Sequence, residues 1–344
     1  MATLTIEQIL DNTKATMVNQ GKLGVAQIAQ SLTDYPMASH FLRREKMKIT
    51  GGTSIDHDLL VRTLGSASMK GLYSQDDYNV GDILEKVNAP WRHLNTFWAF
   101  EEREVAMNSS KQKIVDLIGA RRTAAQLDQV ELLDTQLWNK PTDSTNKLDM
   151  FGIPYWLVKN ASTGFNGGNP AGFSAGAGGV STSDEATWAN YSGQYATVTK
   201  GDAIAKMKTA RRKTKFKAPV GKQAFRSGAG DRYRIHTSDP VVDDMENLGE
   251  AQNENIGKDL HEFDGMMTFG RNPIVYTPQL DSDSTNPIYM INYDTFIPFY
   301  LKGFFMKEAA PRISPTMHNT IVVDVDTSMN MLCTNRRLNT VLYV

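Results

Sequence analysis

The 344-residue chain contains a single cysteine, Cys333. One thiol cannot close a disulfide within the chain or build a cysteine-rich zinc site, and it fits a reducing compartment. No run of eighteen apolar residues occurs, so no membrane-spanning helix is expected. The opening residues, Met1-Ala-Thr-Leu-Thr-Ile-Glu-Gln, lack the basic segment and apolar core of a signal peptide, and none is expected. An excess of either charge is also missing: 37 basic residues against 38 acidic ones leave a formal net charge of -1. Such a balance argues against gripping nucleic acid with the whole surface, while leaving room for a local basic face. No segment repeats with a fixed period.

Patterns that carry known chemistry are missing as well. The glycine-rich run Gly164–Gly179 holds neither G-x-x-x-x-G-K-[ST] nor a G-x-G-x-x-G after a strand, and Gly221-Lys222 lacks the upstream glycine and the following Ser or Thr. The run therefore reads as a flexible surface loop. Asp56-His57-Asp58, His261-Glu262-Phe263-Asp264, Asp281-Ser282-Asp283 and Asp324-Val325-Asp326 have neither H-E-x-x-H nor EF-hand spacing. Asp324 and Asp326 would share one strand face, a geometry open to a divalent ion, but exposed polar edges explain all four clusters. There is no G-x-S-x-G, and the six histidines are scattered. Cys333, inside an apolar strand, reads as a core thiol. No catalytic residue, metal site or cofactor site is expected.

What the sequence does contain starts with 40% hydrophobic residues, enough for a sizeable core in two or three domains or one elaborated one. Ser109–Trp138 reads as one helix of 30 residues without proline, roughly 45 Å long. Ile114, Leu117, Ile118, Ala125, Val130, Leu133 and Leu137 give it an apolar stripe. Asn108 and Ser109 are candidate caps, and Pro141 closes the far end. Arg121, Arg122, Gln126, Asp128 and Glu131 keep part of the other side wet.

Before this spine, residues 4–32 pattern as an amphipathic helix or arm, packed on its own domain or reaching a neighbour. Residues 46–107 read as a very long hairpin. His57–Leu64 forms its outgoing strand, Ser74–Asp82 its polar tip, and Pro90-Trp91-Arg92-His93 leads into the β-favouring Leu94–Glu101. A lone hairpin is marginal and must lie on something. Beyond the spine, helices are expected over 202–214 and 241–254. Strands are expected at Tyr233–Thr237, Asn272–Tyr276 and Ile288–Tyr293, with a final pair at Thr320–Val325 and Met329–Val344. The strongest charge feature is Lys206, Lys208, Arg211, Arg212, Lys213, Lys215 and Lys217. These surround a helix whose Ala203, Met207 and Ala210 remain for packing. The run serves as a solvated face, a contact with an acidic neighbour, or a contact with phosphates.

An arm, a long hairpin with Pro-Trp-Arg on its returning limb, and a lone spine helix, in that order, resemble the major capsid protein of tailed double-stranded DNA bacteriophages. Asp202–Thr214 resembles the helix that opens that family's axial domain. Ile235-His-Thr-Ser-Asp-Pro-Val-Val-Asp-Asp-Met is similar to its strand–proline–helix unit. Ile288–Pro298 looks like its strand before an aspartate, and Met329–Val341 resembles its closing strand. The likeness runs over essentially the whole chain.

The resemblance implies an α+β shell fold: an N-terminal arm (1–45), an extended loop (46–107), a peripheral domain with the spine helix (108–199 and 311–344) and an axial domain (200–310). It implies self-assembly as hexamers and pentamers into an icosahedral head around packaged DNA, in the virion, after assembly in the host cytoplasm. A separate scaffolding protein, a portal and a decoration protein are the further partners it suggests, and no membrane. Within that reading Trp91, Phe97, Trp98 and Phe100 are the candidate contacts between subunits, or else pack on their own spine. The alternative is a nucleic-acid-binding protein using residues 206–217.

Overall fold

The computed structural model describes residues 35–42, 48–64, 67–73, 82–107, 111–216, 232–250, 267–270 and 272–344. Most of the expected arm, the tip residues 74–81, the caps Asn108 and Ser109, Lys217, Gly221-Lys222 and the cluster at 261–264 lie outside the described residues. The chain opens with α1 (Pro36–Phe41), β1 (Lys48–Thr50), β2 (Ser54–Leu60), β3 (Leu84–Pro90) and β4 (Arg92–Glu101). Then come α2 (Glu102–Met107), α3 (Lys111–Leu137), α4 (Ile153–Trp156), β5 (Gly164–Gly167), β6 (Asn190–Gln194) and α5 (Ala203–Lys213). The remainder is β7 (Tyr233–Thr237), α6 (Asp239–Glu250), β8 (Thr268–Phe269), β9 (Asn272–Tyr276), β10 (Ile288–Asn292) and β11 (Phe296–Leu301), followed by β12 (Lys307–Glu308), β13 (Arg312–Ile313), β14 (Thr320–Cys333) and β15 (Thr340–Tyr343).

The spine is α3, 27 residues and about 40 Å long. Ala125, Gln129, Leu133 and Leu137 are buried at every fourth position, with Asp134 beside them. Two of these five are polar, which is why the apolar stripe looks ragged in the sequence. Both find partners: Gln129 donates to Thr327 Oγ1 at 2.8 Å, and Asp134 accepts from the Ala38 amide at 2.8 Å and from Gln279 at 2.5 Å. Arg121 and Arg122, expected to face outward, turn onto their own chain. Arg121 forks onto Glu104 at 2.6 and 2.8 Å, and Arg122 pairs with Glu308 at 2.6 Å.

Against the spine lies a six-stranded sheet in the order β1-β11-β14-β12, with β13 and β4 also paired to β14. The central β14 is one strand of 14 residues, not the expected pair broken at 325–329. Asp324, Asp326 and Ser328 look like turn residues, but they alternate along one face of a period-two strand, partly exposed at Asp324 and Asp326 and covered at Ser328. Each is held from its own side, by Arg312 at 2.7 Å, Asn95 at 2.6 Å and His93 at 2.7 Å. The inward half is Val323, Val325 and Thr327.

The second sheet has seven strands, β5-β6-β15-β10-β7-β9-β8, and divides two cores. Tyr289, Ile291 and Val341 face the main core with the spine. Ile288, Met290, Ile235 and Leu342 face a second core that α5 and α6 cover with Ala203, Met207, Ala210, Val241 and Met245. The expected domain segments therefore interleave. β11, within 200–310, joins the first sheet, and the last strand β15, within 311–344, sits in the middle of the second. The chain crosses between sheets at two 3-10 turns, Tyr293–Thr295 and Arg336–Leu338, capped by Asn292 and Asn335. Asn339 ties the crossings together, donating to Thr295 Oγ1 at 2.9 Å and accepting from the Asn292 amide at 2.7 Å.

β2 and β3 form a two-stranded hairpin. Its returning limb stops at Pro90; after Trp91 the chain enters β4, which pairs along β14 from Glu101 to Arg92. The hairpin is thus shorter than the expected 46–107, because the aromatic stretch finds a longer partner in β14. Its root buries Ile55, Val87 and Ala89 on the glycine-rich run, which is packed and not the expected free loop. The Asn88 amide donates to Gly178 O at 2.9 Å, and the Gly178 amide donates to Tyr155 Oη at 2.9 Å. Gly178 has φ +65°, and a Cβ there would strike Val87 and the Trp156 ring, so only glycine fits.

Candidate assembly surfaces

The four candidate aromatics fall in three different places. Trp91 marks the hairpin root, half-buried, its Nε1 donating to Gly52 O at 2.9 Å. Trp98 and Phe100 stand opposite Val323 and Ile321, on the strand face that meets the spine, their rings stacked at 6.1 Å. Both are partly buried. Phe97 stands opposite Asp324 on the other face and is 51% exposed. Only Phe97 of the four presents a large apolar surface outward.

The hairpin offers a larger one. Beyond the root, Val61 O accepts from Thr187 Oγ1 at 2.9 Å, and Arg62 pairs with Glu185. Past this latch, Met69, Leu72 and Tyr73 are 103%, 93% and 102% exposed. Leu60, Leu64 and Leu84 continue the apolar surface down the hairpin. Large apolar groups left together in water mark a contact surface. Sequence reasoning placed the tip at the polar 74–82 and passed over these residues. The available signal was three large apolar residues in five positions, too short a stretch for a helix of its own, between Gly65-Ser66 and a polar run.

The basic run lies on α5 and the turn after it. As the spacing predicts, Ala203, Met207 and Ala210 are buried. Lys206 is committed to Asp202 at 2.5 Å. That contact, with the amides of Ala196 and Thr197, pulls the Asp202 carboxyl down to about 2. Arg211 is half-buried, its Nε donating to Phe216 O at 3.3 Å. Lys208, Arg212, Lys213 and Lys215 are exposed and form no ion pair among the described residues. Four of the seven candidate cations are therefore free to face outward.

Other charged groups act within the subunit. Arg336 is fully buried. It donates to Trp156 O at 2.6 Å, Gly168 O at 2.9 Å and Asn190 Oδ1 at 3.1 Å, its guanidinium lying over the Trp188 ring. Burial lowers it to about 10, still charged at neutral pH. Burial raises the Cys333 thiol to about 12, which makes it a poor nucleophile. The acidic clusters are occupied: Asp56 by Lys86 at 2.8 Å, Asp283 by Lys159, Asp281 by Tyr276 Oη at 2.6 Å. Among the described residues no three His, Cys, Asp or Glu side chains converge.

Neither a protein-family model nor a curated protein matches the chain by sequence. Solved structures match it over nearly its whole length. The capsid asymmetric unit of cyanophage A-1(L) aligns with a TM-score of 0.62 at 12% identity, covering 96% of this chain and 98% of that one. The capsid of a native GTA particle aligns at 0.57 and 9% identity, covering 91% of each chain. The holo-SrpI encapsulin complex from Synechococcus elongatus PCC 7942 aligns at 0.51 and 9% identity, covering 100% and 96%. The chain has the tailed-phage capsid fold, an α+β architecture, as the order of arm, hairpin and spine implied.

Proposed function

We propose that this chain is a structural major capsid protein, assembling as hexamers and pentamers into an icosahedral phage head that encloses double-stranded DNA. The observation that carries the reading is the match of fold to a phage capsid subunit over 96% of this chain and 98% of that one. The hairpin adds support of a different kind. Its root is fastened to its own subunit, while Met69, Leu72 and Tyr73 are left in water, a cost that a neighbouring copy would remove by covering them.

In this reading the spine and six-stranded sheet form the rigid peripheral body. The seven-stranded sheet with α5 and α6 forms the axial body around local symmetry axes, where rings close by head-to-tail contacts. The hairpin of β2 and β3 forms the base of the extended loop, and the arm ends at α1. The subunit acts by geometry and not by catalysis. The alternative of a small nucleic-acid-binding protein has no support in the fold comparisons.

Native mass measurement and negative-stain images of the purified protein test the proposal. Rings of five or six copies, or closed shells, are expected; a stable monomer at micromolar concentration would overturn it. Nuclease-protected duplex DNA inside particles recovered from infected cells would support the cargo. Particles that hold only protein would replace the DNA with a protein cargo.

A further inference from the structure

The outer layer of the seven-stranded sheet carries two helices of opposite sign. α5 and the turn after it display Lys208, Arg212, Lys213 and Lys215. α6, on the same sheet face, is seated through Val241 and Met245 and displays Asp243, Asp244 and Glu246. None of these seven side chains forms an ion pair within the subunit among the described residues. Each helix buries one face in the second core and presents its charge away from it.

We propose that the basic face of α5 in one copy docks on the acidic face of α6 in the next copy around a ring. The inference rests on the shell reading above and adds the residues that set its direction. A head-to-tail contact needs two different patches on every copy, and this layer supplies both, with complementary sign. Complementary charge orients an encounter and rejects the reversed one, since like charges would then face each other. The same observation disfavours duplex DNA as the occupant of this layer. A polyanion laid across it would meet Asp243, Asp244 and Glu246 as well as the lysines, whereas a second copy turns the mixed signs into matched ones. Such pairing at an interface rim weakens with salt.

Charge reversal in the full-length protein tests the pairing. One variant carries Lys208→Glu, Arg212→Glu and Lys213→Glu; a second carries Asp243→Lys, Asp244→Lys and Glu246→Lys; a third carries all six. Each is checked first for an unchanged melting curve as a dissociated subunit, and wild-type shells are the reference. Loss of rings and shells in the first two, with recovery in the third, is the expected result. Assembly that is normal in either three-site variant overturns the pairing, and so does a six-site variant that stays monomeric while fully folded. Normal shells with reduced DNA in the first variant would overturn it in favour of a DNA-facing helix. Wild-type protein that never assembles would instead strike the shell reading itself.

Discussion

The carboxylate of Asp134, deep in the spine helix, accepts the backbone N–H of Ala38 at 2.8 Å across 96 residues of chain. It holds the start of α1, where helix amides lack internal partners, and so fastens α1 to the spine. Gln279 donates to its other oxygen, leaving Gln279 Oε1 without a partner.

Burial is the main influence on Asp134 and raises its carboxyl above the ordinary 3.8, outweighing the amides of Ala38 and Met37 and the Gln279 side chain. A carboxyl raised on folding contributes stability that is complete below the unfolded value and is lost as pH rises through the folded one. Asp134→Asn keeps an acceptor for Ala38 and offers an N–H to Gln279 once that amide turns. Relative to this variant, the wild-type subunit should gain stability as pH falls from 7 towards 4. Urea midpoints at four pH values measure the difference; a difference that does not change with pH would contradict the assignment.

Arg336 should be irreplaceable by lysine. Hydrogen bonds from a charged donor contribute about 1.5–3 kcal/mol each, and lysine cannot reach Trp156 O, Gly168 O and Asn190 Oδ1 together from one rigid fork. Arg336→Lys is expected to destabilise the subunit by about 3 kcal/mol or more, and Arg336→Ala by more still. Chemical denaturation of the dissociated subunit reads the loss directly, and a change under about 1 kcal/mol would refute the clamp.

Gly178→Ala should loosen the hairpin root while leaving the sheets intact. The left-handed backbone costs an alanine roughly 1–2 kcal/mol, and its Cβ collides with Val87 and Trp156. Hydrogen exchange at the Asn88 amide, which donates to Gly178 O, should accelerate at least tenfold. Exchange in β14 should stay as in the wild type.

The two halves of the aromatic stretch should separate by assay. Trp98→Ala removes a partly buried ring from the strand face that meets the spine and should lower the melting temperature of the subunit. Met69→Ser, Leu72→Ser and Tyr73→Ser together should leave that temperature unchanged and abolish shells in light scattering. Phe97→Ser is expected to side with the hairpin residues. A Trp98→Ala subunit as stable as wild type would show that the ring contributes nothing to holding the strand on the spine.

Much of this molecule could be read before its structure. The spine was legible because 27 helical residues without proline leave few alternatives. β7, β9 and β10 were legible because their runs of β-branched and aromatic residues are short and bounded by turns. The packing of α5 through Ala203, Met207 and Ala210 followed from their three- and four-residue spacing. The polar positions Gln129 and Asp134 defeated the same reasoning, because a buried polar side chain is intelligible only once its distant partner is known.

The sequence by itself determined the order of elements, the absence of recognisable enzyme motifs and the charge carried by α5, all of which depend on residues close together in the chain. Tertiary structure decided that β4 pairs with β14, that β15 enters the middle of the other sheet, and that Gly178 lies under the hairpin. It also decided which of four aromatic rings faces outward. These are pairings between segments up to 237 residues apart, as for Arg92 and Met329. Local propensity carries no information about them, and the burial of one face against another selects among strands that look alike in isolation.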